Sequence, residues 1–220
     1  CFDFKDEISI IGDYNQTEIN KIFDEITSVM MDVVNADFEL DRSKDKKTYV
    51  SASGSPLFLS KLKILKEWEL LSIKFENMNN GSGNSNHKNK VIIKLGSDSG
   101  SNVSARVNGS GNCAIKIPFL TGNVSINGSG NVMFDHIATV ECKINGSGDI
   151  TCNKAGNLTI HINGSGDFKS NEVYGDLKSK INGSGDICPG SGQLGSFEVR
   201  INGSGDVDAR NICTQIADIA

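Results

Sequence analysis

From Val91 onward, apolar and polar residues alternate in short runs that break off at nearly constant intervals. Each break is the same box. Asn-Gly-Ser-Gly begins at Asn108, Asn127, Asn145, Asn163, Asn182 and Asn202, at spacings of 19, 18, 18, 19 and 20 residues. Val or Ile precedes every copy, and Asn or Asp followed by an apolar residue comes after it. With the box Asn as position zero, position −3 holds Ala105, Val124, Cys142, Ile160, Ser179 and Val199. Position +5 holds Cys113, Val132, Ile150, Phe168, Ile187 and Val207. Period two on both sides of the box means two strands, each turning one face inward. A second corner recurs about twelve residues after the box Asn, at Gly122-Asn123, Gly156-Asn157, Gly175-Asp176 and Gly195-Ser196.

A period of this length predicts a solenoid in which each coil contains one box. The expected fold is all-β: a single-stranded parallel β-helix with two sheets and about 18–20 residues per coil. Right-handed winding is expected from the bias of parallel crossovers. The box glycines (Gly109, Gly111, Gly128, Gly130, Gly146, Gly148, Gly164, Gly166, Gly183, Gly185, Gly203 and Gly205) suit corners that need positive φ and room beside the next coil. The Asn and Asp of the box favour such corners by bonding nearby amides.

Upstream, the pattern changes. Ile19, Ile22, Phe23, Ile26, Val29, Met30, Val33 and Val34 recur every three or four residues and predict a helix over 20–34, with Thr17 as a cap. Strands running on into Asp37–Leu40 are the competing reading. Residues 1–34 therefore form an N-terminal segment, and 35–76 the strands leading into the solenoid. Within the latter, Tyr49–Ser53 is a strand, Gly54-Ser55-Pro56 a turn, and Leu62, Ile64 and Leu70–Phe75 two further runs. Residues 77–90 are a polar loop; its Asn80-Gly81-Ser82-Gly83 lacks apolar flanks and is not counted as a coil. The repeat region spans 91–220. Another box would fall near 220–222, so the array is expected to run on or to be covered at that end.

Composition narrows the function. With 24 Gly and 3 Pro in 220 residues, tight turns between strands are favoured over a helical bundle. A net charge of −5 argues against a nucleic-acid partner. No apolar run approaches the ~18 residues that span a bilayer; the one route to a membrane is a lipid on Cys1. Cys1, Cys113, Cys142, Cys152, Cys188 and Cys213 follow no zinc spacing, and no cofactor is implied.

Three sets of residues are candidates for chemistry. Asp149, Asp167, Asp186 and Asp206 form a carboxylate ladder that could collect Ca²⁺, or simply cap turns. Position −2 carries Arg106, Lys143, His161, Lys180 and Arg200, a basic stripe suited to an anionic glycan or an acidic protein surface. Glu141 and Glu198 at position −4 offset it, which makes a solvated β-face the simpler reading. Cys142 and Cys152 flank one box and both face inward, so they could form a disulfide or act as apolar fillers. Catalysis finds little support: His87, His136 and His161 hold unrelated positions, and Gly-Ser-Gly is not the Gly-x-Ser-x-Gly of a nucleophile elbow. The Asn-Gly-Ser sequons follow from turn chemistry.

The Ile-Asn-Gly-Ser-Gly-Asp-Ile boxes resemble the head GIN domain family of bacterial autotransporter adhesins, and Tyr49–Phe75 looks like that family's leading strands. The likeness covers roughly Phe23 to Ala220. It implies a β-helix, strand rather than helix over 23–40, and a place in the cell envelope or on the extracellular surface, the periplasm included. It also implies an adhesive role with no catalytic residues to transfer. The expected protein is thus a non-catalytic adhesin-like or envelope structural protein, not an enzyme. Its partner would be a surface glycan or a protein receptor, and the rods could self-associate. A calcium-stabilised repeat module and a carbohydrate-active β-helix enzyme are the alternatives.

Overall fold

The structure is a computed structural model and describes residues 7–11, 18–75, 89–96 and 101–220. It is a β-solenoid. Among the described residues, seventeen strands join in one continuous sheet. The N-terminal ones are β1 (Glu7–Ile11), β2 (Glu18–Phe23), β3 (Ser28–Val34), β4 (Asp37–Arg42), β5 (Thr48–Ser53), β6 (Leu62–Glu67), β7 (Leu70–Phe75) and β8 (Lys90–Leu95). The repeats supply β9 (Ser101–Gly109), β10 (Cys113–Ile115), β11 (Phe119–Gly128), β12 (Val132–Gly146), β13 (Ile150–Gly164), β14 (Phe168–Gly183), β15 (Ile187–Cys188), β16 (Ser191–Gly203) and β17 (Asn211–Ile219).

Stacking is parallel and in register through the repeats. In the central coil the inward residues after the box are Ile150, Cys152, Ala155, Leu158, Ile160 and Ile162, all buried. Their spacing stretches from two to three on either side of Ala155, so the chain bends twice there before the long run into the next box. Each inward residue sits on its counterpart one rung away: Ile144 on Ile162, Cys142 on Ile160, Val132 on Ile150. One coil by itself has no interior; the stack creates it.

Polar side chains also face this interior. Ser179 lies between Ile160 and Val199 in the −3 ladder. It is 2% exposed, and its buried hydroxyl has no hydrogen-bond partner among the described residues. A desolvated, unpaired hydroxyl costs about 1–3 kcal/mol. Ser179→Val is therefore expected to stabilise the protein by roughly 1 kcal/mol or more, read as a higher urea midpoint at unchanged slope.

The N-terminal segment corrects the helix reading of 20–34. That stretch is β2, a turn and β3. Ile19 and Phe23 point inward while Ile22 is 58% exposed, and Val29 and Met31 are inward one turn later. β3 lies between β7 and β9, parallel to both, and β4 lies in the same way between β8 and β10. Residues 28–42 are thus a coil threaded between two later ones. A helix over 20–34 would leave β5, β7 and β9 without their partners β2 and β3, and that long-range pairing outweighs local periodicity.

The leading strands Tyr49–Ser53 and Leu70–Phe75 appear as expected. β5 pairs antiparallel with β2 and β8, and β6 with β1 and β7, so the pairing in this part of the sheet changes from parallel to antiparallel. The expected turn at Ser55-Pro56 opens a short helix, α1 (Pro56–Lys61). Ser55 Oγ accepts from the Phe58 amide at 3.2 Å, and Pro56 occupies the first turn, where no amide is needed. Phe58 and Leu59 of α1 are buried in the core. The loop expected over 77–90, with its isolated box, lies outside the described residues except for Asn89 and Lys90.

Candidate functional site

The six boxes stand in one column, with Asn108, Asn127, Asn145, Asn163, Asn182 and Asn202 in mutual register. Their amides form a ladder. Asn127, Asn145 and Asn163 each donate Nδ2–H to Oδ1 of the box Asn one coil earlier at 3.0 Å, and Asn182 does so at 2.8 Å. Asn108 closes the row on Asp32 Oδ1 at 2.6 Å. Within the box the first and second glycines have different reasons to be glycine. Gly146 has φ +142°, a conformation that side chains rarely adopt. Gly148 has no such φ; a Cβ there would collide with the Gly130 carbonyl oxygen on the neighbouring rung.

The carboxylate ladder has a structural use. Asp149 Oδ1 accepts the Asp167 amide at 2.9 Å, Asp167 Oδ1 the Asp186 amide at 2.9 Å, and Asp186 Oδ1 the Asp206 amide at 2.8 Å. Asn131, Asn112 and Asp37 continue the row in the other direction at 2.9–3.1 Å. Among the described residues no three His, Cys, Asp or Glu side chains gather as metal ligands do. Asn fills the position as well as Asp because only one acceptor oxygen is needed.

These carboxylates link stability to pH. Burial pushes Asp167 up, but the Asp186 amide and Lys169 outweigh it and hold the group below its usual range. Hydrogen bonds from Lys116 and Lys90 do the same to Glu39. A carboxylate depressed in the folded state adds stability above its unfolded pKa and loses it as pH falls through the folded one. The urea midpoint is therefore expected to fall on acidification below about pH 4 and to change little between pH 6 and pH 8.

The basic stripe forms the row expected of it: Arg106, Ser125, Lys143, His161, Lys180 and Arg200 are register partners on the long face. Its charge is largely answered. Arg106 lies 3.8 Å from Asp32, Lys143 2.7 Å from Glu141 and Arg200 3.2 Å from Glu198, which also holds Lys178 at 3.0 Å.

Cys142 and Cys152, which could bridge the corner, are both buried and free. They belong to separate inward ladders, Cys142 between Val124 and Ile160, Cys152 between Phe134 and Ser170. Burial pushes Cys113 and Cys152 up to about 12, and Cys142 well above its ordinary value. Since the thiolate is the reactive form, an alkylating reagent is expected to label exposed Cys213 quickly in the native protein. Cys113, Cys142 and Cys152 should react only after unfolding, without reductant, as peptide mapping would show.

The short face after the box carries features that the repeat pattern hides. Met133 is 55% exposed and, with Thr151, forms a ridge between two furrows. One furrow, about 460 Å³, is edged by Asp135, Asn153 and Asn171; the other, about 680 Å³, by Asn112, Asn131 and Asp149. Around the next bend, the Tyr174 hydroxyl lies 3.1 Å from His136 Nε2, and Lys154 sits 5.0 Å from the Tyr174 ring centre while pairing with Glu172 at 2.9 Å. No residue recurs at the Met133 position, where other coils hold Ala114, Thr151, Lys169 and Cys188, so exposed bulk and not a break in the repeat sets Met133 and Tyr174 apart. His161 stays in the basic row, and His87 lies outside the described residues.

A family model described as putative auto-transporter adhesin, head GIN domain, matches residues 32–171 and 139–220. The chain belongs to this family. Among solved structures, the GIN-domain chain resembles a putative adhesin from Bacteroides fragilis at 17% identity, covering 94% of this chain and 99% of that one with a TM-score of 0.53. It also resembles a putative lipid binding protein and a putative adhesin, both from Parabacteroides distasonis. The first is 16% identical with a TM-score of 0.49, covering 96% of this chain and 99% of that one. The second is 17% identical with a TM-score of 0.47, covering 96% and 100%. At such identities the likeness concerns the fold. A search of curated proteins gives no match.

Proposed function

We propose that this chain is a non-catalytic, adhesin-like protein of the cell envelope or outer surface that presents the flank of its solenoid to a surface glycan or a protein receptor. The observation that carries this reading is the column of boxes in register. It fixes side chains in straight rows at rung spacing, ~4.8 Å, over a surface that no single pocket dominates. Such rows suit an extended partner touched weakly at many points, where the total depends on how many points engage at once. Membership of an adhesin family supports the same reading.

Microspheres coated with the protein would test it. They should adhere to epithelial or bacterial surfaces more than albumin-coated ones do, and soluble protein should compete. Adhesion no better than albumin's on every surface tried would sink the reading. Protease shaving of intact producing cells tests the location: digestion of the chain without lysis is the expected result.

A further inference from the structure

We infer that the twin furrows flanking Met133 are a binding site for an uncharged, extended polysaccharide lying along the solenoid axis. This rests on the adhesin reading above and names its ligand class. Three features of the short face carry it.

The first is a preset row of amides. Asn153 donates Nδ2–H to Asp135 Oδ1 at 3.0 Å, and Asn171 donates to Asn153 Oδ1 at 2.9 Å. A primary amide has two N–H groups, so each of these keeps one for a ligand while the ladder holds its rotamer. On the other edge, Asn131 Oδ1 accepts the Asp149 amide at 2.9 Å, which fixes its side chain in the same way. Side chains already immobilised lose little entropy when they bind.

The second feature is charge. Every lysine on the two furrows is paired: Lys116 and Lys90 with Glu39 at 2.7 and 3.0 Å, and Lys169 with Asp167 at 3.0 Å. Asp37, Asp135 and Asp149 are each engaged by Asn or backbone N–H groups. Among the described residues an anionic polymer would find no unpaired cation here, whereas hydroxyl groups would find amide donors and acceptors.

The third is shape. Each furrow has a volume in the ~300–1,000 Å³ range of small-molecule clefts, yet both are open troughs that run from coil to coil. The exposed Met133 thioether and the Thr151 methyl group give the ridge between them an apolar crest, suited to the C–H face of a sugar ring. Rungs recur every ~4.8 Å, close to the length of one pyranose in an extended chain, so successive sugars would meet equivalent rungs.

The test is calorimetric titration of the intact chain with cellohexaose, xylohexaose, mannohexaose and hexagalacturonate, and with the matching trisaccharides. At least one neutral hexasaccharide should bind, on the order of tenfold more tightly than its trisaccharide. Met133→Arg, which blocks both troughs, and Asn171→Ala, which shortens one row, should each weaken that binding on the order of tenfold. Both positions are exposed, so unchanged melting and circular dichroism confirm folding. Lys21→Glu, exposed on β2 and lining neither furrow, should bind as the parent does. The inference is overturned if no neutral hexasaccharide binds, if hexagalacturonate binds more tightly, or if both groove variants bind normally. Microspheres carrying Met133→Arg separate the two levels. Undiminished adhesion would leave an adhesin whose ligand lies elsewhere, while no adhesion by the parent protein would remove the adhesin reading itself.

Discussion

Gly148→Ala is expected to lower the unfolding free energy by roughly 3 kcal/mol or more, although it adds a single methyl group. The new Cβ would overlap the carbonyl oxygen of Gly130 and sit 2.9 Å from its carbonyl carbon and 3.0 Å from Ile126 Cγ2. Those atoms belong to the next rung, held by the bonds from Ser147 and Gly148 amides to Gly128 at 2.9 and 3.2 Å. Backbone cannot swing aside as a flexible side chain would, so either the rungs separate or the corner turns outward. Both breaks reach the Val132–Ile150 contact beneath. Ser147→Ala is the control, since its exposed side chain faces solvent between the two glycines and should change stability by less than about 0.5 kcal/mol. Urea unfolding of the two variants measures the contrast. Equal midpoints would mean that consecutive boxes are not in contact.

That contrast shows why the fold of the repeats was legible from the chain alone. A box that recurs at rung intervals declares both which residues stack and which face turns inward, and Cys142, Ile160 and Val199 lie in the expected ladder. The N-terminal coil declares neither. Its corner is Val34-Asn35-Ala36-Asp37, where Asn35 adopts φ +49° and Ala36 takes the place of a glycine. Its partners in β9 are more than seventy residues away. Apolar residues three and four apart, from strands on either side of a turn, then imitate one helix.

The candidate site was legible in part, for a related reason. Repetition announced the Asx row but not its role, because a carboxylate that binds metal and one that accepts the next coil's amide look alike in sequence. The basic row was equally visible, as were Glu141 and Glu198 beside it, but the partner of Arg106 is Asp32, a residue of the threaded coil. Met133 and Tyr174 escaped notice because the repeat pattern directs attention to what recurs. In a solenoid, specificity has to come from the exceptions, since the recurring residues are committed to stacking.

The same one-dimensional architecture makes the energetic weight of a residue depend on its place along the stack. Ile160→Ala is expected to cost about 2–5 kcal/mol, because Ile160 is fully buried between Cys142 and Ser179. Val199 occupies the same ladder and is 1% exposed, but among the described residues only Ile219 lies beyond it, 69% exposed on β17. Val199→Ala should therefore loosen the coil of β16 and β17 while leaving the coils before it intact, because contacts pass only between neighbours. Hydrogen exchange separates the two cases. Ile160→Ala should speed exchange of slow amides from β12 through β14, which unfold together. Val199→Ala should speed exchange in β16 and β17 only, with the midpoint of the main transition nearly unchanged. If Val199→Ala instead lowered protection uniformly as far as β9, the chain would be behaving as one globular core, and the nearest-neighbour account of its stability would fail.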